Sequence, residues 1–261
     1  MAARTPAQAE DPFANLRQTF REESEERLGG MDRLVEQVLD GDRPFATAVS
    51  QLRRDTHTLK GMGEASGFPL VSLVAHRLEN YLDDIDPGHR DEALVGIRAH
   101  IDAMAQAMEE KAAPDDAEIA RVLRALPMPR AFNPDEIELR NVEALLVTSS
   151  RVAGRLVARE LAACGIRAIL TQSATEAFTL AIRMKPNLII ASATMAELPG
   201  TDLARALTAM ASTNRIPVAI LTSLGESELS RQGLPQGIPT IRTGAQLSGD
   251  LAQVITRYGI G

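Results

Sequence analysis

His57-Thr58-Leu59-Lys60-Gly61 lies in the run FATAVSQLRRDTHTLKGMG, residues 45–63, and the spacing of that run decides the fold of the first half of the chain. Phe45, Val49, Leu52, Thr56, Leu59 and Gly63 recur every three or four residues. That is the stripe of an amphipathic helix with one buried face. His57 stands one residue off the stripe and therefore points outward. Its neighbours on the helix are Arg53 and Arg54 before it, and Lys60 and Gly61 after it.

A lone helical histidine is usually an ordinary surface residue. Gly61 and Gly63 weigh against that here. Each costs about 1 kcal/mol relative to alanine inside a helix, which implies that something must approach closely. The next helix opens at Phe68-Pro69, with proline in the first turn where its missing N–H does no harm. Leu70, Val71, Leu73, Val74 and Leu78 form its stripe, and His76 and Glu79 lie three residues apart. If the two helices pack antiparallel, His76 and Glu79 can face His57. A carboxylate on one ring nitrogen fixes the tautomer and leaves the other nitrogen as nucleophile. An exposed imidazole so oriented and flanked by cations suits the receipt and delivery of a phosphoryl group.

The pattern His57-Thr-Leu-Lys-Gly61, Gly67-Phe68 and Leu73-Val-Ala-His76-Arg-Leu-Glu79 resembles a histidine phosphotransfer (HPt) domain, and most of all the N-terminal phosphotransfer domain of chemotaxis histidine kinases. The resemblance implies His57 as phosphoacceptor, with Lys60, His76 and Glu79 as the surrounding hydrogen-bonded and electrostatic network. Arg53, Arg54, Gly61 and Glu64 then form the surface offered to a partner. The implied fold is an antiparallel four-helix bundle over residues 10–126.

Composition sets the outer bounds. The chain has 261 residues, enough for two domains. Aromatics make up 3% and Trp is absent, so Leu, Ile, Val, Ala and Met must fill the cores. A net charge of −7 argues against nucleic-acid binding, which needs a basic face. No run approaches the about 20 apolar residues of a membrane span, and the N-terminus lacks the apolar core of a secretory signal. Cys164, the single cysteine, reads as a buried structural thiol in a reducing compartment. The expected location is the cytoplasm.

Along the first half, residues 1–10 read as a tail and Asp11-Pro12 as a helix start. The first helix carries Phe13, Leu16, Phe20, Leu28, Met31, Leu34, Val35 and Val38, with Gly29-Gly30 as a bend. Gly67 reads as the C-terminal cap of the His57 helix. The third helix ends near Asp86-Pro87-Gly88. Leu94, Ile97, Ile101, Met104 and Met108 supply a fourth helix. A short helix with Ile119, Val122, Leu123 and Leu126 is expected to pack against the bundle. Pro127-Met-Pro129 and Asn133-Pro134 cannot continue a helix and mark a linker, residues 127–141.

From residue 142 to 261 the pattern alternates between strands and helices. Strands are expected at Ala144–Val147, Ala168–Leu170, Leu188–Ala191, Ile216–Leu221 and, weakly, Thr240-Ile241. Helices are expected at about Arg151–Cys164, Ala174–Met184 and Leu203–Met210. This is the signature of a doubly wound α/β domain with a parallel five-stranded sheet. It resembles the receiver domain of bacterial response regulators over about residues 142–258. Leu145-Leu-Val147, Pro186-Asn-Leu-Ile-Ile-Ala191, Gly200, Pro217 and Thr222 carry the likeness.

The acids of that family are absent. Thr148 and Ser149 stand where two Mg²⁺-binding carboxylates belong, and Ser192 replaces the phosphoacceptor aspartate. The family lysine corresponds to Arg242 or Thr243. The segment between Thr222 and Thr240 is short and rich in Gly, Ser and Pro, so the fourth helix is expected to be reduced or missing. Mg²⁺ needs carboxylate oxygens, and phosphoryl transfer needs metal and positioned charge. The resemblance therefore implies a pseudo-receiver for binding or homodimerisation, with Ser192 read as a neutral strand-end residue rather than a phosphorylated serine.

Together these readings describe a phosphorelay carrier of a bacterial two-component system. Its partners would be response-regulator receiver domains and a histidine kinase. No cofactor is expected on this chain, and Mg²⁺ is expected on the partner receiver. No ATP-binding signature is present, so loading must come from elsewhere. The alternative is a non-catalytic regulator that binds and inhibits, or scaffolds, a kinase or response regulator.

Overall fold

The computed structural model describes residues 14–109, 114–128 and 142–260. The expected tail, the Asp11-Pro12 helix start, Phe13, and most of the linker with Asn133-Pro134 lie outside the described residues. Two compact units separate, one within Met1–Glu118 and Ala125–Pro129, the other within Ile119–Arg124 and Arg130–Gly261.

The first unit is the expected bundle. Its helices are α1 (Ala14–Leu39), α2 (Phe45–Gly63), α3 (Pro69–Asp84) and α4 (Arg90–Glu109), with a 3-10 turn at Pro87–His89. The stripes meet in one core. Phe20, Met31, Leu52, Leu59, Leu78 and Ile97 are among its fully buried side chains. Burying a side chain of this kind contributes about 1.5–3 kcal/mol each. Helix α1 runs through Gly29-Gly30 without interruption. Leu16, expected on its buried face, is 44% exposed. It lies near the start of α1, where the stripe has outrun the core beneath it.

Helix α2 stops at Gly63, and the chain turns through Gly67 at φ +86°, a left-handed value that favours glycine. The Phe68 N–H donates to the Gly63 carbonyl at 2.8 Å, closing the turn. Pro69 then opens α3 at its first position, as expected.

Helix α5 (Asp116–Ala125) is capped by Asp115, whose carboxylate accepts from the Glu118 N–H at 2.8 Å. Ile119 and Leu123 are buried as their spacing requires. However, residues 119–124 group with the second unit rather than adding to the bundle. There the Arg167 guanidinium donates to the Arg124 carbonyl at 3.0 Å.

The second unit holds β1 (Glu143–Val147), α6 (Arg151–Ala163), β2 (Arg167–Thr171), α7 (Ala174–Met184), β3 (Leu188–Ser192), α8 (Gly200–Ala209), β4 (Val218–Thr222), α9 (Glu226–Arg231), β5 (Thr240–Arg242) and α10 (Leu247–Tyr258). The five strands are parallel in the order β2-β1-β3-β4-β5. Strands β1, β3 and β4 are almost wholly apolar because helices cover both faces of the sheet. The order reverses between β1 and β3, which makes their carboxyl ends the switch point of the sheet. One helix follows each strand, and α9, the fourth of them, has only six residues. One expectation is corrected here, and one helix was not foreseen. Cys164 is exposed, because α6 ends at Ala163 and the chain turns away before the Val157–Leu161 stripe can bury another residue. Helix α10, which the sequence reading did not assign, buries Leu247, Leu251 and Val254 against the sheet core.

Candidate functional site

Four contacts show that α2 and α3 lie antiparallel and fix their register. Gly63 abuts Ser72, the Ser72 hydroxyl donates to the Lys60 carbonyl at 2.7 Å, His57 meets Glu79, and Arg53 donates to the Leu82 carbonyl at 2.6 Å. Positions fall along α2 as they rise along α3.

His57 projects from α2 with its side chain 76% exposed. Its Nδ1 lies 2.9 Å from Oε1 of Glu79. An ionised carboxylate only accepts, so Nδ1 carries the proton and donates. In the neutral ring Nε2 then keeps its lone pair on the solvent side. The second oxygen of Glu79, Oε2, is 2.6 Å from the Lys60 ammonium. One carboxylate therefore holds the ring with one oxygen and the cation with the other. His57 is exposed, whereas the Lys60–Glu79 pair beneath it is half-buried, with side chains 23% and 24% exposed. The half-buried carboxylate thus links α2 to α3 and orients the exposed ring.

The other expected residues take different places. His76 is buried on α3, where its Nε2 lies 3.3 Å from the side-chain nitrogen of Asn80, one turn further on. Arg53 binds across to α3 through the Leu82 carbonyl and Asp83 Oδ1, the latter at 3.3 Å. A cation is favourable at those last-turn carbonyls. Arg54 is exposed and hydrogen-bonds Gln51 within α2. Glu64 is exposed beyond the end of α2.

The two glycines differ. A Cβ on Gly61 would meet nothing within 4 Å, so the surface beside His57 is open. A Cβ on Gly63 would stand 3.0 Å from the Ser72 nitrogen and 3.2 Å from the Phe68 carbonyl oxygen. Gly63 thus serves helix packing, not access. The sequence reading also missed Ser72, whose signal is its place seven residues before Glu79 on the same face of α3.

At the switch point of the sheet, Thr148 directly follows β1, and Ser192 and Thr222 end β3 and β4. The Ser192 hydroxyl donates to Thr148 Oγ1 at 2.8 Å. Thr222 Oγ1 accepts from the Leu224 N–H at 2.9 Å, and Ser149 is exposed. Gly200 must approach closely here, since a Cβ would fall 2.1 Å from the Ser192 carbonyl oxygen. Thr148, Ser149 and Ser192 supply hydroxyls and no carboxylate, a donor set that does not match the oxygen-rich anionic cage of Mg²⁺. Among the described residues no group of three or more His, Cys, Asp or Glu side chains is placed to hold a metal.

Arg242 ends β5 and turns to α10. Its Nε and Nη2 each lie 2.8 Å from the two oxygens of Asp250, whose Oδ2 also accepts from the Arg242 N–H at 2.9 Å. Hydrogen bonds from the Arg242 guanidinium, and then from its backbone N–H, hold the Asp250 carboxyl down to about 2. Thr243 follows, its N–H donating to the Thr222 carbonyl at 3.0 Å. Among the described residues no helix is long and apolar enough to cross a membrane.

Comparison with known proteins agrees with this geometry in the bundle. The Hpt domain family matches residues 15–126. The chemotaxis protein CheA of Listeria monocytogenes is 36% identical over 72 residues, which is 27% of this chain and 11% of that protein. The matched segment is thus a small part of that relative's length. Among solved structures, a response regulator from Desulfuromonas acetoxidans is 27% identical, covering 44% of this chain and 94% of that chain with a TM-score of 0.39. The signal receiver domain of a signal transduction histidine kinase from Syntrophus aciditrophicus is 25% identical, covering 46% and 92% with a TM-score of 0.41. The chain carries an Hpt domain at residues 15–126, the mark of a two-component phosphorelay protein, followed by an α/β unit whose five parallel strands run β2-β1-β3-β4-β5.

Proposed function

We propose that this chain is a phosphorelay carrier in which Nε2 of His57 accepts a phosphoryl group from a receiver or a kinase and passes it to a response-regulator aspartate. The observation that supports this best is the shared carboxylate: Glu79 holds Nδ1 of His57 with one oxygen and Lys60 with the other. Nδ1 keeps its proton throughout, so attack through Nε2 requires no base. Lys60, on the other oxygen of Glu79, offsets charge on the incoming phosphoryl oxygens, while His76 is buried one turn before Glu79 with its Nε2 beside Asn80. The partner supplies the acceptor aspartate and the Mg²⁺. Gly61, Arg54 and Glu64 lie on the surface that the partner meets, and Arg53 flanks it. The carrier works in the cytoplasm.

The receiver-like unit, on this reading, is not phosphorylated. Hydroxyls at Thr148, Ser149 and Ser192 supply neither the metal site nor the acceptor. Its role is to bind, either a partner or a second copy. The test of the carrier reading is incubation of the full chain with a phosphorylated receiver, followed by an assay for acid-labile, base-stable phosphate and its localisation by mass spectrometry. Phosphate on His57 is expected. A chain that takes up none, or takes it up elsewhere, refutes the reading.

A further inference from the structure

We propose that Ser72 is a positioning residue for the His57 reaction: its hydroxyl fixes the end of α2 so that one carboxylate on α3 can reach both His57 and Lys60. This rests on the carrier reading and deepens it. Lys60 is held at two points by the same helix. Its carbonyl accepts from Ser72 Oγ at 2.7 Å, and its ammonium meets Glu79 Oε2 at 2.6 Å. A carbonyl oxygen has two lone pairs, so it can take this bond alongside a helical one. Ser72 and Glu79 are seven residues apart, close to two full turns, and so share a face of α3. His57 and Lys60 are three apart and share a face of α2. Two residues from each helix thus close a ladder whose last rung is the 2.9 Å bond from His57 Nδ1 to Glu79 Oε1.

The rungs are not equivalent. His57 is exposed, and its bond to Glu79 competes with water. The Ser72 bond is partly buried at the base of the ladder, and Gly63 makes it attainable. With no side chain, Gly63 lets Ser72 come within reach of the Lys60 carbonyl; a Cβ there would stand 3.0 Å from the Ser72 nitrogen and 3.2 Å from its Cβ. Loss of the anchor lets the last turn of α2 move relative to α3. The ring then samples orientations in which Glu79 no longer selects the Nδ1–H tautomer.

The experiment uses the full chain with phosphoramidate as the phosphoryl donor. In that reaction Nε2 of the neutral ring attacks phosphorus, the P–N bond of the donor, protonated on nitrogen, breaks, ammonia leaves, and Nδ1 keeps its proton, still donated to Glu79. Two readouts are taken for wild type, Ser72→Ala and Gly63→Ala: the rate of phosphohistidine formation, and the ¹⁵N shifts of the His57 ring, which report the tautomer. Both variants are expected to slow phosphorylation by about two- to tenfold, the scale of one hydrogen bond. Both should also shift His57 away from the Nδ1–H form in the folded protein. Wild-type rates with unchanged ¹⁵N shifts would overturn the proposal. So would a rate loss that follows only the unfolded fraction while the shifts of folded His57 stay constant. If wild type itself gains no phosphate on His57, the carrier reading fails separately, and the ¹⁵N comparison still decides whether Ser72 sets the ring.

Discussion

Gly61 and Gly63 stand two residues apart on α2 and face different surroundings: one looks onto open space beside His57, the other onto the backbone of Ser72. The same residue type therefore answers two needs. Gly61→Leu should leave the bundle folded, since leucine forms helix better than glycine, while cutting transfer from a phosphorylated receiver. Gly63→Leu should instead destabilise the bundle by about 1–3 kcal/mol through overpacking, and it should slow transfer as well because it pushes Ser72 away from the Lys60 carbonyl. Thermal melts and transfer assays on both variants check it. Normal transfer by Gly61→Leu would show that the partner approaches from another side.

Glu79→Ala should slow phosphoryl acceptance without abolishing it. The acceptor nitrogen remains, but the carboxylate that orients the ring and neutralises Lys60 is gone. Glu79 and Lys60 are half-buried, with side chains 24% and 23% exposed, so removing the carboxylate leaves a partly buried ammonium without its carboxylate and the melting midpoint should fall as well. Transfer kinetics with a phosphorylated receiver, and the ¹⁵N shifts of His57, are the measurements. Unchanged kinetics together with an unchanged tautomer would count against Glu79 as the orienting group.

His57→Gln should remove acid-labile phosphate altogether and leave the fold intact. The side chain is 76% exposed, and exposed substitutions usually shift stability by no more than about 0.5 kcal/mol. Circular dichroism and phosphate assay on the full chain settle both halves. Acid-labile phosphate persisting on the variant would place the acceptor elsewhere.

The Arg242–Asp250 pair predicts a pH dependence. The Asp250 carboxyl lies near 2 in the folded chain, against an ordinary value of 3.8. A depressed carboxyl contributes stability that is complete above its unfolded value and is lost as pH falls through the folded one. Arg242→Met should therefore destabilise the α/β unit near neutrality. The deficit relative to wild type should shrink as pH falls from about 4 towards 2. Denaturant midpoints at a series of pH values read this directly. A deficit that stays constant down to pH 2 would show that Arg242 acts through packing instead.

Much of this was legible because hydrophobic period is a strong local signal. The stripes of α2, α3 and α4 announced the bundle, and the apolar runs Leu145–Val147 and Leu188–Ala191 announced a covered parallel sheet. His57 and Glu79 could be paired in advance because their helix positions let antiparallel α2 and α3 bring them face to face; Lys60 joined them through the resemblance to HPt domains, and His76, expected to face His57 too, is buried instead. What failed depended on where an element ends or what lies beneath it. Leu16 continues a stripe past the core, and Cys164 follows one past the end of its helix. Helix α10 has a clear stripe in Leu247, Leu251 and Val254, but Gly244 and Gly249 mask its start. The role of Ser72 lies in a backbone carbonyl across the helix pair, which no side-chain pattern reports.

The last prediction concerns the strand ends of the receiver-like unit. The Ser192 hydroxyl donates to Thr148 Oγ1 at 2.8 Å, and Thr148 is buried. Two neutral hydroxyls satisfy each other there without a counter-ion. Acids in their place would not. In Thr148→Asp/Ser192→Asp, two carboxylates would face each other at close range, partly out of water, where like charges resist joint ionisation and an unpaired buried charge is costly. The double variant should melt lower than wild type in a chelating buffer. Mg²⁺ should then raise its melting temperature in a concentration-dependent way, because a ligand that binds only the folded state stabilises it by mass action. The wild-type chain should show no such Mg²⁺ dependence and should gain no phosphate on residues 142–261 from acetyl phosphate. A Mg²⁺-dependent rise in the wild-type melting temperature, or phosphate on Ser192, would refute the pseudo-receiver reading. A double variant as stable as wild type without Mg²⁺ would show that the hydroxyl pair is not what keeps this end of the sheet neutral.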